Sequence, residues 1–366
     1  MLYLGIDQHH KQLTVSLRNG EGHVILRRQV STEPEKARAF LDDVRRQAGE
    51  GGFMALLEVC GFNDWLLELL DEYGCREIVL IHPDKRSQRK TDRRDASKLS
   101  ELLWINGKRL QNGHKPRGLR RVVIPSADDR QDRQLTALRK RAGQQQTRTV
   151  NKIKNILRRH NLTWRQPTKT FETRAVRQWL AELELPEIDR LELDQLLAQW
   201  ELWQAQVKQL EERIIRRFRR SDTAQVLATA PGCAAYSALA IASRIGPIER
   251  FAKPRSLANY FGLTPRCRNS GEVTDRLGSI TKEGSGMVRF LLGQMVLHVL
   301  KKDPRMREWY RRIRRRRGSK IARVAVMRRL ATIFWYMLTY NERYQSGGPP
   351  RLRLKQAQRR ETANCV

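Results

Sequence analysis

Four carboxylates near the start of the chain stand where they could act together on one chemical group. Asp7 and Glu58 each follow a short apolar run, as they would at the end of a buried strand. Asp92 and Asp95 are three residues apart, which places them on one face of a helix that starts there. If the two apolar runs are neighbouring strands of one sheet, all four carboxylates can converge at its edge.

Such a cluster predicts a metal site. Like charges held close together repel strongly unless a cation lies between them. Hard oxygen ligands without His or Cys suit Mg²⁺ or Mn²⁺, and paired divalent metals can stabilise both the entering and the leaving oxygen of a phosphodiester. A plainer interpretation of Asp92 and Asp95 is that they favour a helix N-terminus and pair with Arg93 and Arg94.

Ser270 is a second group that could do chemistry. It lies in a predicted loop flanked by Arg266, Arg268 and Arg276, whose guanidinium groups could hold a phosphate. No His–Asp pair is apparent to activate it, so its hydroxyl would need a metal or a proton acceptor from elsewhere. From the residues alone, an isolated Ser-Gly pair is more typical of a turn than of a catalytic site.

The first 105 residues read as an α/β domain that positions the carboxylates. Thr32, Pro34 and Glu35 together predict a helix start with a cap, a proline in the first turn and a reciprocal glutamate. The order β-β-β-α-β-α-β-α indicates a mixed sheet covered by helices. We expect strands at 2–6, 13–17, from 24, at 53–59 and at 78–81, and helices at 32–47, 63–73 and from Thr91 through Leu103.

Residues 106–223 read as a basic connector followed by helices. The connector occupies 106–126, and a charged helical region follows over about 128–160. Spacings of three and four residues then form a heptad seam, and such helices could pack as a hairpin within one chain or pair between chains. The seam comprises Leu193, Leu196, Trp200, Trp203, Val207, Leu210 and Ile214.

Residues 224–345 are expected to form a second compact domain, mostly helical, with a loop region at 263–284. Helices are predicted over 226–245 with a turn at Pro231-Gly232, then at 257–262, 288–299 and 321–340. The segment 311–320 is intensely basic, and the polar tail 346–366 is expected to be disordered.

The charge balance points to a polyanionic partner. Lys and Arg number 72 against 39 Asp and Glu, a formal net charge of +33. Such a charge destabilises a compact protein by self-repulsion, and neutralising phosphates releases counterions and drives nucleic-acid binding. We expect phosphate contacts from the basic stretches around 84–94, 115–121, 139–159 and 311–320.

The remaining composition limits the class of protein. The five cysteines are scattered, with no CxxC pair, which argues against zinc and for a reducing compartment. No signal peptide is apparent, and no apolar run approaches the length of a membrane span. The sequence therefore predicts a soluble intracellular protein with no membrane partner.

Three short motifs resemble the catalytic signature of the DEDD insertion-sequence transposases: Gly5-Ile6-Asp7, Leu57-Glu58 and the run from Lys90 to Ala96. The N-terminal domain of that family is RNase H-like and similar to the RuvC-like Holliday-junction resolvases, in agreement with the element order above. The resemblance implies that Asp7, Glu58, Asp92 and Asp95 are a metal-binding tetrad for Mg²⁺ or Mn²⁺.

A second signature of that family is also present. Pro231-Gly232, Ile245-Gly246 and Arg250-Phe251 resemble its helix-hairpin-helix-like segment, and Gly262 to Pro265, Ser270-Gly271 and Ser279 to Gly284 resemble the segment around its nucleophilic serine. The resemblance implies that Ser270 is the nucleophile. The nucleic-acid contacts expected around it are Arg266, Arg268, Arg276, Lys282 and Arg289.

The resemblance also implies a mechanism and partners. The metal site positions a DNA phosphate, Ser270 attacks it to give a protein-linked strand, and a strand of the partner duplex displaces the serine. A guide RNA, the bridge RNA, would pair with both donor and target DNA. The active complex would be a tetramer built from dimers, in the bacterial or archaeal cytoplasm and associated with the nucleoid.

Two alternatives remain open from the sequence. One is a junction-resolving nuclease in which the carboxylates are catalytic and Ser270 is passive. The other is a non-enzymatic nucleic-acid binder, for which neither the carboxylates nor a divalent metal would matter.

Overall fold

The structure, a computed structural model, describes residues 1–82, 92–267, 277–349 and 352, with the backbone alone at 92–94, 267 and 277. Its contacts divide the chain into two compact units, Met1–Ile124 and Pro125–Val366. The boundary falls within the predicted basic connector. The long helices and the block that contains Ser270 belong to the same unit.

The first unit is built on a six-stranded sheet of order β3-β2-β1-β4-β5-β6. β1, β4 and β5 run parallel, and β2, β3 and β6 are antiparallel to their neighbours. The predicted mixed α/β sheet is confirmed. The elements are β1 Leu2–Gln8, β2 Gln12–Arg18, β3 Val24–Ser31, α1 Pro34–Ala48, β4 Phe53–Glu58, α2 Asp64–Glu72, β5 Glu77–Ile81, α3 Asp92–Gln111 and β6 Arg121–Val122.

The central strands are apolar on both faces because helices cover both sides of the sheet. The face that carries Leu4 and Ile6 packs on α1 and α2. The face that carries Tyr3 and Leu56 forms a separate cluster with Leu99 and other apolar residues of α3. Each strand therefore contributes alternate residues to two cores.

Two details of the first unit differ from prediction. Thr32 does not cap α1, because the helix begins at Pro34 with Glu33 in the cap position, and the Thr32 hydroxyl instead donates to the His10 carbonyl at 3.0 Å. α3 continues well beyond Leu103, to Gln111, because its later turns pack on the sheet. The predicted cap of α3 at Thr91 lies outside the described residues.

The second unit is mainly helical, which confirms the predicted class of the C-terminal region. No helix in the described ranges is both long and apolar enough to cross a membrane. The elements are α4 Ala127–Arg159, α5 Arg174–Ala181, α6 Glu187–Phe218, α7 Asp222–Ala228, α8 Ala235–Ile245, α9 Pro254–Tyr260, β7 Pro265–Cys267, β8 Leu277–Ile280, α10 Gly286–Lys302 and α11 Pro304–Thr339.

α4 and α6 pair with each other as an antiparallel hairpin. Arg217 near the end of α6 pairs with Asp132 near the start of α4, and Arg159 at the end of α4 pairs with Asp189 at the start of α6 at 2.5 Å. These two ion pairs, at opposite ends of the helices, show that α4 and α6 run antiparallel. In the predicted seam Leu193, Leu196, Trp200 and Ile214 are buried, whereas Trp203, Val207 and Leu210 are half-buried.

α11 joins two segments that the sequence analysis separated. It runs through the exposed basic stretch and the buried last helix, with a kink at Gly318, where φ is 82° and ψ is 167°. Only glycine adopts that backbone conformation readily. The kink separates the exposed arginine-rich half of α11 from its later half, whose residues Phe334 and Met337 lie in the core.

Asp303, between α10 and α11, holds the beginning of the C-terminal tail. Its carboxylate is 1% exposed and accepts hydrogen bonds from the Tyr344 hydroxyl at 2.6 Å, the Ser346 hydroxyl at 2.9 Å and the Gly347 amide at 2.9 Å. Leu352 is buried in the same core. The tail at 346–349 is therefore ordered, contrary to expectation, because a buried carboxylate binds it.

Candidate active site

Asp7 and Glu58 occupy adjacent positions on two parallel strands. The register pairs Ile6 of β1 with Leu57 of β4, so the next residue on each strand is the carboxylate. Neighbouring strands lie about 4.8 Å apart, and paired side chains project from the same face. Because Ile6 and Leu57 are buried on the α1–α2 side, Asp7 and Glu58 project toward the α3 side. Both are half-buried.

Two close contacts between α3 and β1 show in which direction this helix runs. A Cβ atom on Gly5 would overlap the backbone of Ala96 and Ser100, and one on Gly107 would overlap the ring of Tyr3. Moving along β1 from Tyr3 to Gly5 therefore means moving backwards along α3. α3 runs antiparallel to β1, and its start lies toward the end of the strand where Asp7 stands.

The first turn of α3, which contains Asp95 and the backbone of Asp92, thus lies at the same edge of the sheet. α3 starts at Asp92, and the positive end of its dipole favours anionic groups there. Asp95 is half-buried and lies one turn before Leu99, which is buried between α3 and the sheet. The side chain of Asp92 lies outside the described residues.

Two neighbours of Asp7 were not assigned from the sequence. His9 Nε2 lies 3.2 Å from Asp7 Oδ2, and the Asp7 side chain is 20% exposed. Thr14 pairs with Asp7 across β1 and β2, and its buried hydroxyl has no hydrogen-bond partner among the residues that the structure describes. The only sequence signal for His9 was its separation of two residues from Asp7, and Thr14 carried none.

The donor set fits a divalent cation of the hard type. Carboxylate oxygens of Asp7 and Glu58 share one face, and the orphaned Thr14 hydroxyl beside Asp7 could bind a water of a hydrated ion. Within the described residues, no group of three or more His, Cys, Asp and Glu forms a ready-made metal cluster. The predicted fourth ligand, Asp92, is not among the described side chains.

A buried amide network fixes the loop after Glu58. Asn63 Nδ2 donates to Gln8 Oε1 at 2.8 Å and to the Glu58 carbonyl at 3.1 Å, and Gln8 Nε2 donates to the Phe62 carbonyl at 3.0 Å. The Cys60 amide donates to Asn63 Oδ1 at 2.6 Å. Because Gln8 is the last residue of β1 and Asn63 donates to the carbonyl of Glu58, the last residue of β4, this network joins the two strand ends.

Cys75 and Cys233 are not candidate nucleophiles. Burial raises the pKa of the Cys75 thiol and of the Cys233 thiol, each to about 12. Both therefore stay protonated at neutral pH, and the thiolate is the reactive form.

β7 and β8 form an antiparallel hairpin in the region that the sequence analysis took for a loop. Pro265 pairs with Ile280, and Cys267 pairs with Leu277. The strands were missed because they are short and contain proline, glycine and serine rather than an apolar alternation. Three predicted site residues lie between the strands and outside the described residues: Arg268, Ser270 and Arg276.

The base of this hairpin is firmly braced. The Thr281 amide donates to the Thr264 carbonyl at 2.9 Å, and the Lys282 amide donates to the Gly262 carbonyl at 3.1 Å. Arg289, a predicted nucleic-acid contact, uses its Nη1 group as part of the brace. That group donates to the carbonyls of Phe261, Glu283 and Gly284 at 3.1, 2.9 and 3.2 Å.

A basic groove of about 600 Å³ lies beside the hairpin base. Arg266 is exposed there while one of its nitrogens donates to the Thr281 carbonyl at 2.9 Å, and Lys282 is exposed nearby. Guanidinium and ammonium groups beside hydroxyls suit a phosphate. The lining residues are Lys253, Arg255, Ser256, Asn259, Thr264, Pro265, Arg266, Thr281 and Glu283.

Both blocks of the chain are similar to known transposase sequences. Residues 4–162 match a DEDD-type transposase family of IS110 elements, and residues 224–311 match the transposase IS116/IS110/IS902 family. The two matches together cover about two thirds of the chain.

Individual relatives give the same picture. The chain is 28% identical over 303 residues to the "Transposase for insertion sequence element IS1111A" of Coxiella burnetii, covering 80% of this chain and 79% of that one. It is 26% identical over 351 residues to the "Probable family 20 transposase" of Pseudomonas aeruginosa, covering 94% and 95%. A shorter match, 27% over 138 residues, covers 37% of this chain and 41% of the "Transposase for insertion sequence element IS1328" of Yersinia enterocolitica.

Proposed function

Because the chain belongs to the IS110 family of DEDD transposases, we propose that it cuts and rejoins the DNA of an insertion sequence by a metal-dependent, serine-linked reaction. The observation that supports this best is that Asp7 and Glu58 each stand one residue beyond the paired Ile6 and Leu57 of two parallel strands, at the edge where α3 starts. Like charges on neighbouring strands repel unless a cation lies between them, so the pair suits a metal ion.

Asp7, Glu58, Asp92 and Asp95 would hold Mg²⁺ or Mn²⁺. Such a cation, when bound, neutralises charge on the phosphate under attack. His9 orients the Asp7 carboxylate through the contact at 3.2 Å. The buried Gln8–Asn63 network keeps the two strand ends in register, so that the carboxylates need little rearrangement when DNA arrives.

Ser270 supplies the nucleophile. Its hydroxyl oxygen attacks the scissile phosphorus, the bond from phosphorus to the leaving sugar oxygen breaks, and the proton of the serine is passed on so that the sugar leaves as a free hydroxyl. A hydroxyl of the partner strand then attacks the same phosphorus and releases Ser270. Lys253, Arg255 and Arg266 hold the neighbouring backbone phosphates in the groove at the hairpin base.

The partners follow from this reaction. Donor and target DNA bind the basic surface, and a bridge RNA supplies the choice of sites by base pairing with both. The active complex is a dimer or tetramer of this chain. A net charge of +33 suits association with the nucleoid.

A covalent-adduct assay tests the proposal. The gene is expressed with its native flanking DNA, and protein–DNA complexes that survive denaturant are isolated from wild type, Ser270→Ala and Asp7→Asn. We expect adducts in wild type alone, dependent on Mg²⁺ or Mn²⁺. Cutting by both wild type and Ser270→Ala, with no adduct in either, would refute the serine step and favour a resolvase-type nuclease. Binding without any cutting would favour the non-enzymatic alternative.

A further inference from the structure

The loop that follows Glu58 presents an aromatic side chain to solvent. Phe62 is 43% exposed, and the ring of His10 meets it edge-on, with centroids 6.5 Å apart and planes at 76°. A phenylalanine with this much exposed surface gains only part of the free energy of burial in the free protein. Its position in the loop after β4 therefore says more about a ligand-binding role than its hydrophobicity does.

This side chain is held in place rather than carried on a loose loop. The Phe62 carbonyl accepts the hydrogen bond from Gln8, and the next residue is Asn63, the centre of the buried amide network. The His10 carbonyl is likewise fixed by the Thr32 hydroxyl. Two aromatic rings are thus preorganised at the ends of the strands that carry Asp7 and Glu58.

The rings border a groove of about 620 Å³ between α1 and α2. Arg38 in this groove pairs with Glu72 at 2.6 Å, and Glu68 adds a further carboxylate to the lining. Within the groove the formal charge is negative, in a chain whose net charge is +33. The lining residues are His10, Thr32, Pro34, Arg38, Phe62, Trp65, Glu68, Leu69 and Glu72.

This lining suits a nucleobase and not a phosphate. Aromatic faces stack on bases, and carboxylates accept hydrogen bonds from the amino groups on base edges. The same carboxylates repel a phosphate group, and therefore also the backbone of a nucleic acid. A second copy of this chain would meet an uneven rim of Arg38, Glu68 and Glu72 instead of a continuous apolar face.

We propose that this groove binds one unpaired DNA base beside the bond that is cut. Phe62 would stack on the base, the His10 ring would meet the edge of the base, and Glu68 would accept from its amino edge. The groove lies at the same edge of the sheet as Asp7 and Glu58 but on the α1–α2 side, so the sugar–phosphate backbone could pass over the strand ends. The part of the inference that places the base beside the cut bond rests on the proposed function. The part that a base binds in the groove rests only on the residues that line it.

Photo-crosslinking of the full chain tests the inference. The probe is a DNA duplex with one unpaired 5-iodocytosine, which has an amino edge and crosslinks on illumination to an aromatic ring that stacks on it. We expect a crosslink to the peptide that contains Phe62 or to the one that contains His10. Phe62→Ala should lower its yield by at least about fivefold, the lower end of the cost of losing one base–aromatic stack, and Phe62→Tyr should restore it.

Ile25→Ala is the matched control, since Ile25 is 46% exposed in the same unit and lies outside the groove; its yield should equal that of wild type. An unchanged yield in Phe62→Ala would overturn the inference, as would a crosslink confined to the matching RNA probe. A change of oligomer mass in Phe62→Ala, with the crosslink retained, would instead mark a contact between copies and would also overturn it.

Asp7→Asn separates this inference from the proposed function. It should abolish cutting and leave the crosslink at Phe62 intact. If neither wild type nor any variant cuts DNA but the crosslink depends on Phe62, the proposed function is refuted and the base-binding groove is supported. If wild type cuts DNA and the crosslink is independent of Phe62, the groove fails alone.

Discussion

Gly5 of β1 lies directly against the backbone of Ser100 in α3, with no room for a Cβ atom between them. The side chains of Ser16 and Ser100 meet beside this contact at 3.0 Å, both buried. The glycine therefore determines how closely α3 approaches the sheet. Through that distance it also determines where the first turn of α3 stands relative to Asp7 and Glu58.

Gly5→Ala should be severely disruptive. The added methyl group must displace backbone atoms of Ala96 and Ser100, and overpacking of this kind costs about 1–3 kcal/mol or more. Chemical denaturation should show a lower free energy of unfolding, and DNA cutting should be lost. Gly20→Ala is the control, because its nearest neighbouring atom would be 4.0 Å away. Equal stability of the two variants would contradict the role assigned to Gly5.

The amide network should contribute to stability and to activity. Asn63→Ala leaves the Cys60 amide without its partner and leaves Gln8 Oε1 only the Cys60 thiol at 3.6 Å, and an unsatisfied buried group costs about 1–3 kcal/mol. We expect a lower free energy of unfolding and reduced cutting. Asn19→Ala removes an exposed amide whose oxygen accepts from two nearby backbone amides, and should cost less. The reverse order of stability would show that the network does not hold the strand ends.

Metal binding should be visible as stabilisation of the folded protein. Mg²⁺ or Mn²⁺ at about 100 times its Kd should raise the free energy of unfolding by about 2.7 kcal/mol, by mass action. Asp7→Asn and Glu58→Gln should lose most of this increase, whereas Glu21→Gln, an exposed carboxylate on a turn, should keep it. A thermal-shift titration measures the effect. Retention of the full increase in both site variants would place the metal elsewhere.

Asp303 should give the second unit a pH-dependent stability. Burial acts to raise the pKa of this carboxyl, but hydrogen bonds from Gly347, Tyr344, Met306 and Ser346 outweigh it and hold the pKa below its ordinary value. A group with a lowered folded-state pKa stabilises the protein above its unfolded pKa of about 3.9 and loses that effect as pH falls through the folded value.

Asp303→Asn should therefore lower the free energy of unfolding at pH 7 by about 1.5–3 kcal/mol, the usual value of a hydrogen bond to a charged group. The difference from wild type should shrink below about pH 4. Denaturation at several pH values checks this, with Asp222→Asn as the exposed control. A difference that is constant with pH would mean that the carboxylate charge is not what binds the tail.

The arginine-rich half of α11 should bind nucleic-acid phosphates. Residues 314–317 are arginines and all are exposed. Replacing these four by glutamine should flatten the dependence of log affinity on log salt by up to about 0.9 per lost phosphate contact on duplex DNA. Arg45→Gln with Arg46→Gln, exposed on α1, is the control. An unchanged slope for the four-residue variant would exclude this helix from the interface.

The sequence predicts the first unit well because its signals are local. Strands such as β4 are continuous apolar runs, and the end of such a run identifies Glu58 before any pairing is known. Prediction fails where the deciding contact is distant. No feature of the sequence near Asn63 predicts its hydrogen bond with Gln8, 55 residues away. Likewise, no feature near Ser346 predicts its hydrogen bond with Asp303.

The candidate site shows the same division. The types and positions of Asp7 and Glu58 follow from the sequence, whereas their alignment depends on the β1–β4 register. The brace formed by Arg289 depends on three carbonyls brought together by a hairpin that has no strand-like pattern. Sequence reasoning therefore assigned Arg289 to the ligand, while the structure uses part of its guanidinium internally.

The pairing of β1 with β4 also has a consequence for the order of folding. Asp7 is synthesised well before β4, the parallel neighbour of its strand, and α3, the helix that covers it. Contacts of such long sequence separation form late, because loop closure must precede them. A growing chain on the ribosome must expose Ser100 before α3 can pack on β1, so the edge of the sheet that carries Asp7 and Glu58 is completed only after synthesis has passed that residue.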